Sequence, residues 1–192
     1  MKVRDSGMPP EAAWETFFDA AEVLTALSLD EPAADVVDFG CGYGTFALAA
    51  AKRTTGTVYA LDIEAEMVEV TARRAASVGA SNIHCVQRDF VTDGTGLESE
   101  AADYALLFNI LHTENPLLLL REAFRVLRPN GRAAIIHWVH NRTTPRGPNL
   151  SIRPRSEQCR QWLEATGFEI EIAEVALPPY HYGVVGRKIV PR

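Results

Sequence analysis

Residues 36–51, VVDFGCGYGTFALAAA, constrain this chain more than any other stretch. An apolar run suited to a buried strand passes through Gly40, Gly42 and Gly44 into an alanine-rich helix expected from about Thr45 to Arg53. Strand, glycine turn and helix in that order open an α/β fold and place a ligand at the turn. The pattern alone is not specific. Thr45 stands where a dinucleotide fingerprint has its third glycine, and the absence of a following Gly-Lys-Ser/Thr excludes a P-loop. Asp38 lies two residues before the first glycine, where a carboxylate repels a pyrophosphate and attracts an ammonium. The corner therefore suits a ligand with an amino-acid end. Its ammonium would meet Asp38, and its carboxylate would reach the N–H groups around the turn and helix start.

The rest of the chain alternates strands with helices. Strand patterns follow at TVYALDI, NIHCVQRDF, DYALLFNIL and RAAIIHWVH, the last preceded by RPNG as a helix stop. Two closing strands, FEIEIAEV and YGVVGRKIV, leave no room for a crossover helix and should pair antiparallel. Pro9 and Pro10 begin an N-terminal helix with Trp14, Phe17, Ala21, Leu24 and Leu27 as its apolar stripe and Phe18 widening it. Leu117, Leu120, Phe124 and Leu127 give a later helix its buried stripe, and a last helix runs from about Ser156 to Thr166. The pattern predicts one domain over residues 1–192, with residues 1–30 as a helical segment able to act as a lid. Residues 141–155 carry three prolines and no periodicity, a loop long enough to shape a site.

With these pieces in order, the chain resembles a class I S-adenosylmethionine-dependent methyltransferase of the small-molecule type over nearly its whole length. VVDFGCGYG resembles that family's cofactor loop, ALDI its second strand, and RDF the segment lining adenine. LFNILH and LREAFRVLRPNGRAAI resemble the fourth strand's end and the helix, turn and fifth strand that follow. The resemblance implies a three-layer Rossmann-like α/β fold, a mostly parallel seven-stranded sheet with an antiparallel C-terminal strand. It implies S-adenosylmethionine as cofactor, with Asp38, Gly40, Cys41, Gly42 and Gly44 at its amino-acid end. Asp62 would hold the ribose hydroxyls with Ile63 and Met67 nearby, Asp89 and Phe90 the adenine, and Asn109 would lie at the fourth strand's end. The Asn/Asp-Pro-Pro-Tyr of enzymes acting on adenine or amide nitrogen is replaced here by Asn109, Ile110, Leu111 and His112.

Each of these residues also has a plainer role. Asp62 can cap the helix near Glu64, Asp89 can close a turn, and Cys41 can fill space. His84 and His137, inside strands, suit packing, and the spacing of His137 and His140 points them to opposite faces, against a shared metal. A sulfonium activates its own methyl group, so transfer requires alignment and exclusion of water more than a catalytic side chain. His112 is the candidate base, and Trp14, Trp138, His140, Arg146, Arg153, Tyr180 and His181 are candidate acceptor contacts.

Composition limits the partners. The formal net charge of -6 gives no global case for nucleic acid or membrane binding, and a small molecule is the expected acceptor. Cys41, Cys85 and Cys159 lie far apart without a CxxC pair, which suits a reducing cytoplasm. Two other functions fit the same features: a cofactor-binding regulatory protein without transfer activity, and a nicotinamide-dependent oxidoreductase, which Asp38 and Thr45 disfavour.

Overall fold

The computed structural model describes residues 10–141, 144–145 and 147–189. Its strands are β1 (Val36–Phe39), β2 (Val58–Asp62), β3 (Ile83–Gln87), β4 (Ala102–Phe108), β5 (Leu127–Trp138), β6 (Phe168–Leu177) and β7 (His181–Lys188). They form one sheet in the order β3-β2-β1-β4-β5-β7-β6, parallel except for β7, which runs antiparallel to both neighbours. The helices are α1 (Glu11–Trp14), α2 (Ala20–Ala26), α3 (Thr45–Ala51), α4 (Ala65–Ser77), α5 (Pro116–Val126) and α6 (Ser156–Ala165). Side chains of α2 and α3 pack on one sheet face and those of α5 and α6 on the other. With both faces covered, all four residues of β1 are buried. This is the architecture that the sequence implied.

The sheet's connectivity reverses between β1 and β4, so their carboxyl ends flank the crevice where such sheets bind ligands. At the opposite, amino edge, Arg128 donates to Asp35 (2.9 Å) and Asp103 (2.6 Å), and Asp103 accepts the Asp35 N–H. That network ties the starts of β1, β4 and β5 together.

Three local expectations are corrected. The N-terminal stripe is not one helix: α1 passes into a 3-10 turn at Glu15–Phe17, and Phe18 is extended (φ -143°, ψ 138°). Asp19 then caps α2 through the N–H groups of Ala21 and Glu22. The buried side of α5 is Leu119, Leu120, Ala123 and Val126; of the expected stripe Leu120 and Leu127 are buried, and Leu117 and Phe124 only partly so. RPNG does not separate helix from strand. It is an irregularity inside β5, where pairing jumps from Ala102–Leu127 to Tyr104–Arg132.

The glycine turn after β1 depends on α4. Gly44 has φ +77°, and a Cβ there would lie 2.7 Å from Thr71 Cγ2 and 2.8 Å from Thr71 Oγ1. Thr71 in turn donates to the Gly42 carbonyl. Gly44→Ala should lower stability by about 1–3 kcal/mol in denaturant titration. Adding Thr71→Ala should recover the part due to contact with Thr71, leaving the part due to backbone strain.

Candidate cofactor and acceptor site

The turn is stitched onto β2. Both Gly40 and Cys41 donate their N–H groups to the Leu61 carbonyl at 2.8 Å, Gly42 donates to Asp62 Oδ2 at 2.9 Å, and Gly44 to the Cys41 carbonyl. This narrows the expectation that the turn's N–H groups would meet a ligand carboxylate, because these four are spent within the protein. The corner also holds a hydroxyl and an amide. Thr45 Oγ1 and both side-chain amide atoms of Asn109 are buried without a hydrogen-bond partner among the described residues. A buried polar atom left unpaired costs about 1–3 kcal/mol, so these atoms mark a place for polar ligand groups. Asn109 is held in the left-handed region (φ 58°) while its N–H donates to the Ile136 carbonyl.

Two carboxylates dominate the corner's electrostatics. Asp38 and Asp62 are 3% and 5% exposed, and neither forms an ion pair among the described residues. Burial first, and then Asp62, push the Asp38 carboxyl up to about 7, with the Ala47 N–H opposing them. Burial also raises Asp62, although the Glu64 and Gly42 N–H groups offset part of the cost. Asp62 Oδ2 accepts the Gly42 N–H and Oδ1 the Glu64 N–H, and a carboxylate has about four lone-pair positions. The capping role and the ligand role are therefore compatible. Cys41 is buried beside Thr71, and burial followed by the repulsion of Asp38 and Asp62 pushes its thiol up, so it is inert packing.

Of the other cofactor candidates, Phe90 is placed against the glycine turn. Ile63 is half-buried after β2, and Met67 is buried in the first turn of α4. Phe90 stands edge-on to Phe39, and a Cβ on Gly40 would meet Phe90 and Ile110 at 3.8 and 3.2 Å. Asp89 accepts from the Val91 and Thr92 N–H groups and the Thr92 hydroxyl, so it closes the turn beyond β3. Sequence reading missed Thr71 and Arg74, which hold the Gly42 and Tyr43 carbonyls from α4. Contacts that distant in sequence leave no local signal.

The acceptor candidates divide. His112 ends the β4 side, its Nδ1 buried and unpartnered and its pKa lowered by burial, which keeps it neutral. His137 is fully buried and accepts the Trp138 N–H at Nδ1, while its Nε2 has no partner. The expectation of a satisfied packing histidine is half met. Trp14, Trp138, Tyr180 and His181 join Phe17 and Phe18 in one aromatic cluster. Arg153 is corrected: it is 6% exposed and donates to the carbonyls of Val139, Asn141 and Pro148 and to the Thr144 hydroxyl. Its planar fork clamps the loop's backbone rather than facing an acceptor, and its own carbonyl lies 3.1 Å from His140 Nδ1. Arg146 lies outside the described residues.

Fold and corner together define a class I Rossmann-like methyltransferase, and the residues present fit an amino-acid-ended cofactor: unpaired acids, an orphaned amide and hydroxyl, and a glycine cradle. The chain belongs to the methyltransferase-domain family, whose profile matches residues 30–173; S-adenosylmethionine is the cofactor that this membership implies. It is 25% identical to a SAM-dependent methyltransferase from Aquifex aeolicus, with a TM-score of 0.81 over 98% of this chain and 96% of that one. It is 31% identical over 134 residues to nocamycin O-methyltransferase of Saccharothrix syringae, covering 69% of this chain and 48% of the relative. It is 34% identical over 146 residues to an uncharacterized 37.1 kDa protein of transposon TN4556 from Streptomyces fradiae, covering 68% and 40%. The chain thus spans less than half the length of these two relatives.

The raised Asp38 carboxyl makes a stability prediction. Its folded-state value of about 7 exceeds the ordinary 3.8, so its contribution is complete below the lower value and is lost as pH rises through the upper one. Asp38→Asn should gain on the wild type between about pH 4 and 7, by at most on the order of 4 kcal/mol. Thermal unfolding of both proteins across that window measures the gap; a gap that is constant or shrinks with pH contradicts it.

Proposed function

We propose that this chain transfers the methyl group of S-adenosylmethionine to a small-molecule acceptor. The observation that carries the reading is the pair of buried acids at the glycine turn with no ion-pair partner among the described residues. When bound, the cofactor supplies a methyl group already activated by its sulfonium. Asp38 holds the ammonium, and the Thr45 hydroxyl and Asn109 amide serve the carboxylate. Asp62 takes the ribose hydroxyls on its remaining lone pairs, with Ile63 and Met67 beside it. Phe90, Ile110 and the turn closed by Asp89 enclose the adenine.

The acceptor enters at the carboxyl ends of β4 and β5. The neutral His112 there is the group available to take a proton from an acceptor hydroxyl. The likeness to the Saccharothrix relative, an O-methyltransferase, supports an oxygen acceptor. A net charge of -6 supports a small acceptor over a nucleic acid, and three free cysteines support the cytoplasm. The segment before α2 covers the acceptor site.

Titration calorimetry distinguishes this reading from a nicotinamide enzyme. S-adenosylmethionine and its demethylated product should both bind, and NAD should give no heat. Tight NAD binding with no response to either sulfur compound would overturn the proposal.

A further inference from the structure

The break in the N-terminal helix is marked locally only by Asp19, which caps α2 after it. Residues 15–20 contain neither glycine nor proline, yet the backbone leaves the helix at Phe18 and re-enters it at Ala20. The break carries two adjacent rings into one cluster. Phe17 meets Trp138 edge-on at 5.4 Å and Tyr180 at 6.0 Å; Phe18 lies 4.4 Å from His181 and 5.1 Å from Phe46. Trp138 and His181 are register partners on β5 and β7, with rings 4.2 Å apart.

The strap bearing these rings is tied at both ends. Arg74 pairs with Glu11 at 2.9 Å and Glu15 at 2.6 Å on one side. On the other, Arg53 donates to the Ala21 carbonyl and the Thr25 hydroxyl. Between the ties, Phe17 and Phe18 are only partly buried.

His181 shows that the cluster is incomplete as a core. It is 2% exposed, and neither ring nitrogen has a hydrogen-bond partner among the described residues. A neutral imidazole offers one donor and one acceptor, and a hydroxyl can satisfy either. Burial, with Arg153 nearby, holds it in that neutral form. Apolar packing would be served better by leucine, so an imidazole sandwiched between Phe18 and Trp138 calls for a polar partner that its own rings do not supply.

We propose that Phe17 and Phe18 hold the place of the methyl acceptor, a planar conjugated ring whose edge hydroxyl meets His181, and that the acceptor binds by displacing them. The displaced rings swing out on the strap, and the acceptor's faces take over the contacts with Trp138 and Tyr180. This rests on the small-molecule methyltransferase reading and names its substrate class. The strap therefore competes with the acceptor, where an ordinary lid would add to its binding.

The test measures binding of β-naphthol in the presence of S-adenosylhomocysteine, so that no transfer is needed and failure of the transfer reading is judged separately. Phe17→Ala with Phe18→Ala should tighten β-naphthol at least tenfold, and the saturated decahydro-β-naphthol should bind neither protein measurably. In that double variant, His181→Leu should erase the preference for β-naphthol over naphthalene. Wild-type protein gives a second measurement that does not depend on the variants folding: saturating β-naphthol should shift the His181 ring nitrogen resonances and show proton contacts to Trp138. Weakened or unchanged binding in the double variant, equal binding of the saturated compound, or an unmoved His181 in the wild type would overturn the proposal.

Discussion

Two buried carboxylates, Asp38 and Asp62, that have no ion-pair partner among the described residues set the terms for the rest of this structure. Burying an unpaired carboxylate is costly, and two together add mutual repulsion. The chain spends backbone hydrogen bonds to hold them there: Gly42 and Glu64 on Asp62, and Ala47 beside Asp38. The amino edge of the sheet handles the same chemistry in the opposite way. There Asp35 and Asp103 share Arg128, half-exposed, and the arrangement is complete without a ligand. One edge is closed by its own cation and the other is left for one to arrive.

The glycine turn makes that arrangement possible. Its positive-φ residues let the chain double back so that two N–H groups reach a single carbonyl, that of Leu61, at the end of the neighbouring strand. Thr71 and Arg74 then fix the turn's outward carbonyls from α4, and Arg74 extends the connection to the N-terminal strap. The cofactor corner and the cover of the aromatic cluster thus share one arginine. Arg153 plays the matching part on the far side, where it gathers the carbonyls of the loop after β5 and stacks 6.0 Å from Trp138.

Most of the fold was legible because its strands and helices carry strong periodicity, and the corner was legible because Asp38 sits within two residues of the glycines. What was not legible depends on contacts between distant residues. The stripe from Trp14 to Leu27 is compatible with one helix, and only the ring contacts of Phe17 and Phe18 across the sheet justify breaking it; Asp19, a natural cap, was the available signal. Arg153 read as a candidate acceptor contact, since nothing local reveals that carbonyls from residues 139–148 converge on it. Pro129, Asn130 and Gly131 read as a stop, whereas strand pairing resumes on both sides of them.

The central claim is that the buried Asp38 carboxyl is kept for a cationic group. Calorimetry of S-adenosylhomocysteine binding near pH 6, repeated in buffers of different ionisation enthalpy, tests it directly. With its carboxyl raised to about 7, Asp38 is largely protonated before the ammonium arrives and ionised afterwards. Binding should release about one proton, and the release should vanish well above neutral pH. Binding that exchanges no proton with the buffer, or that takes one up, would contradict the account.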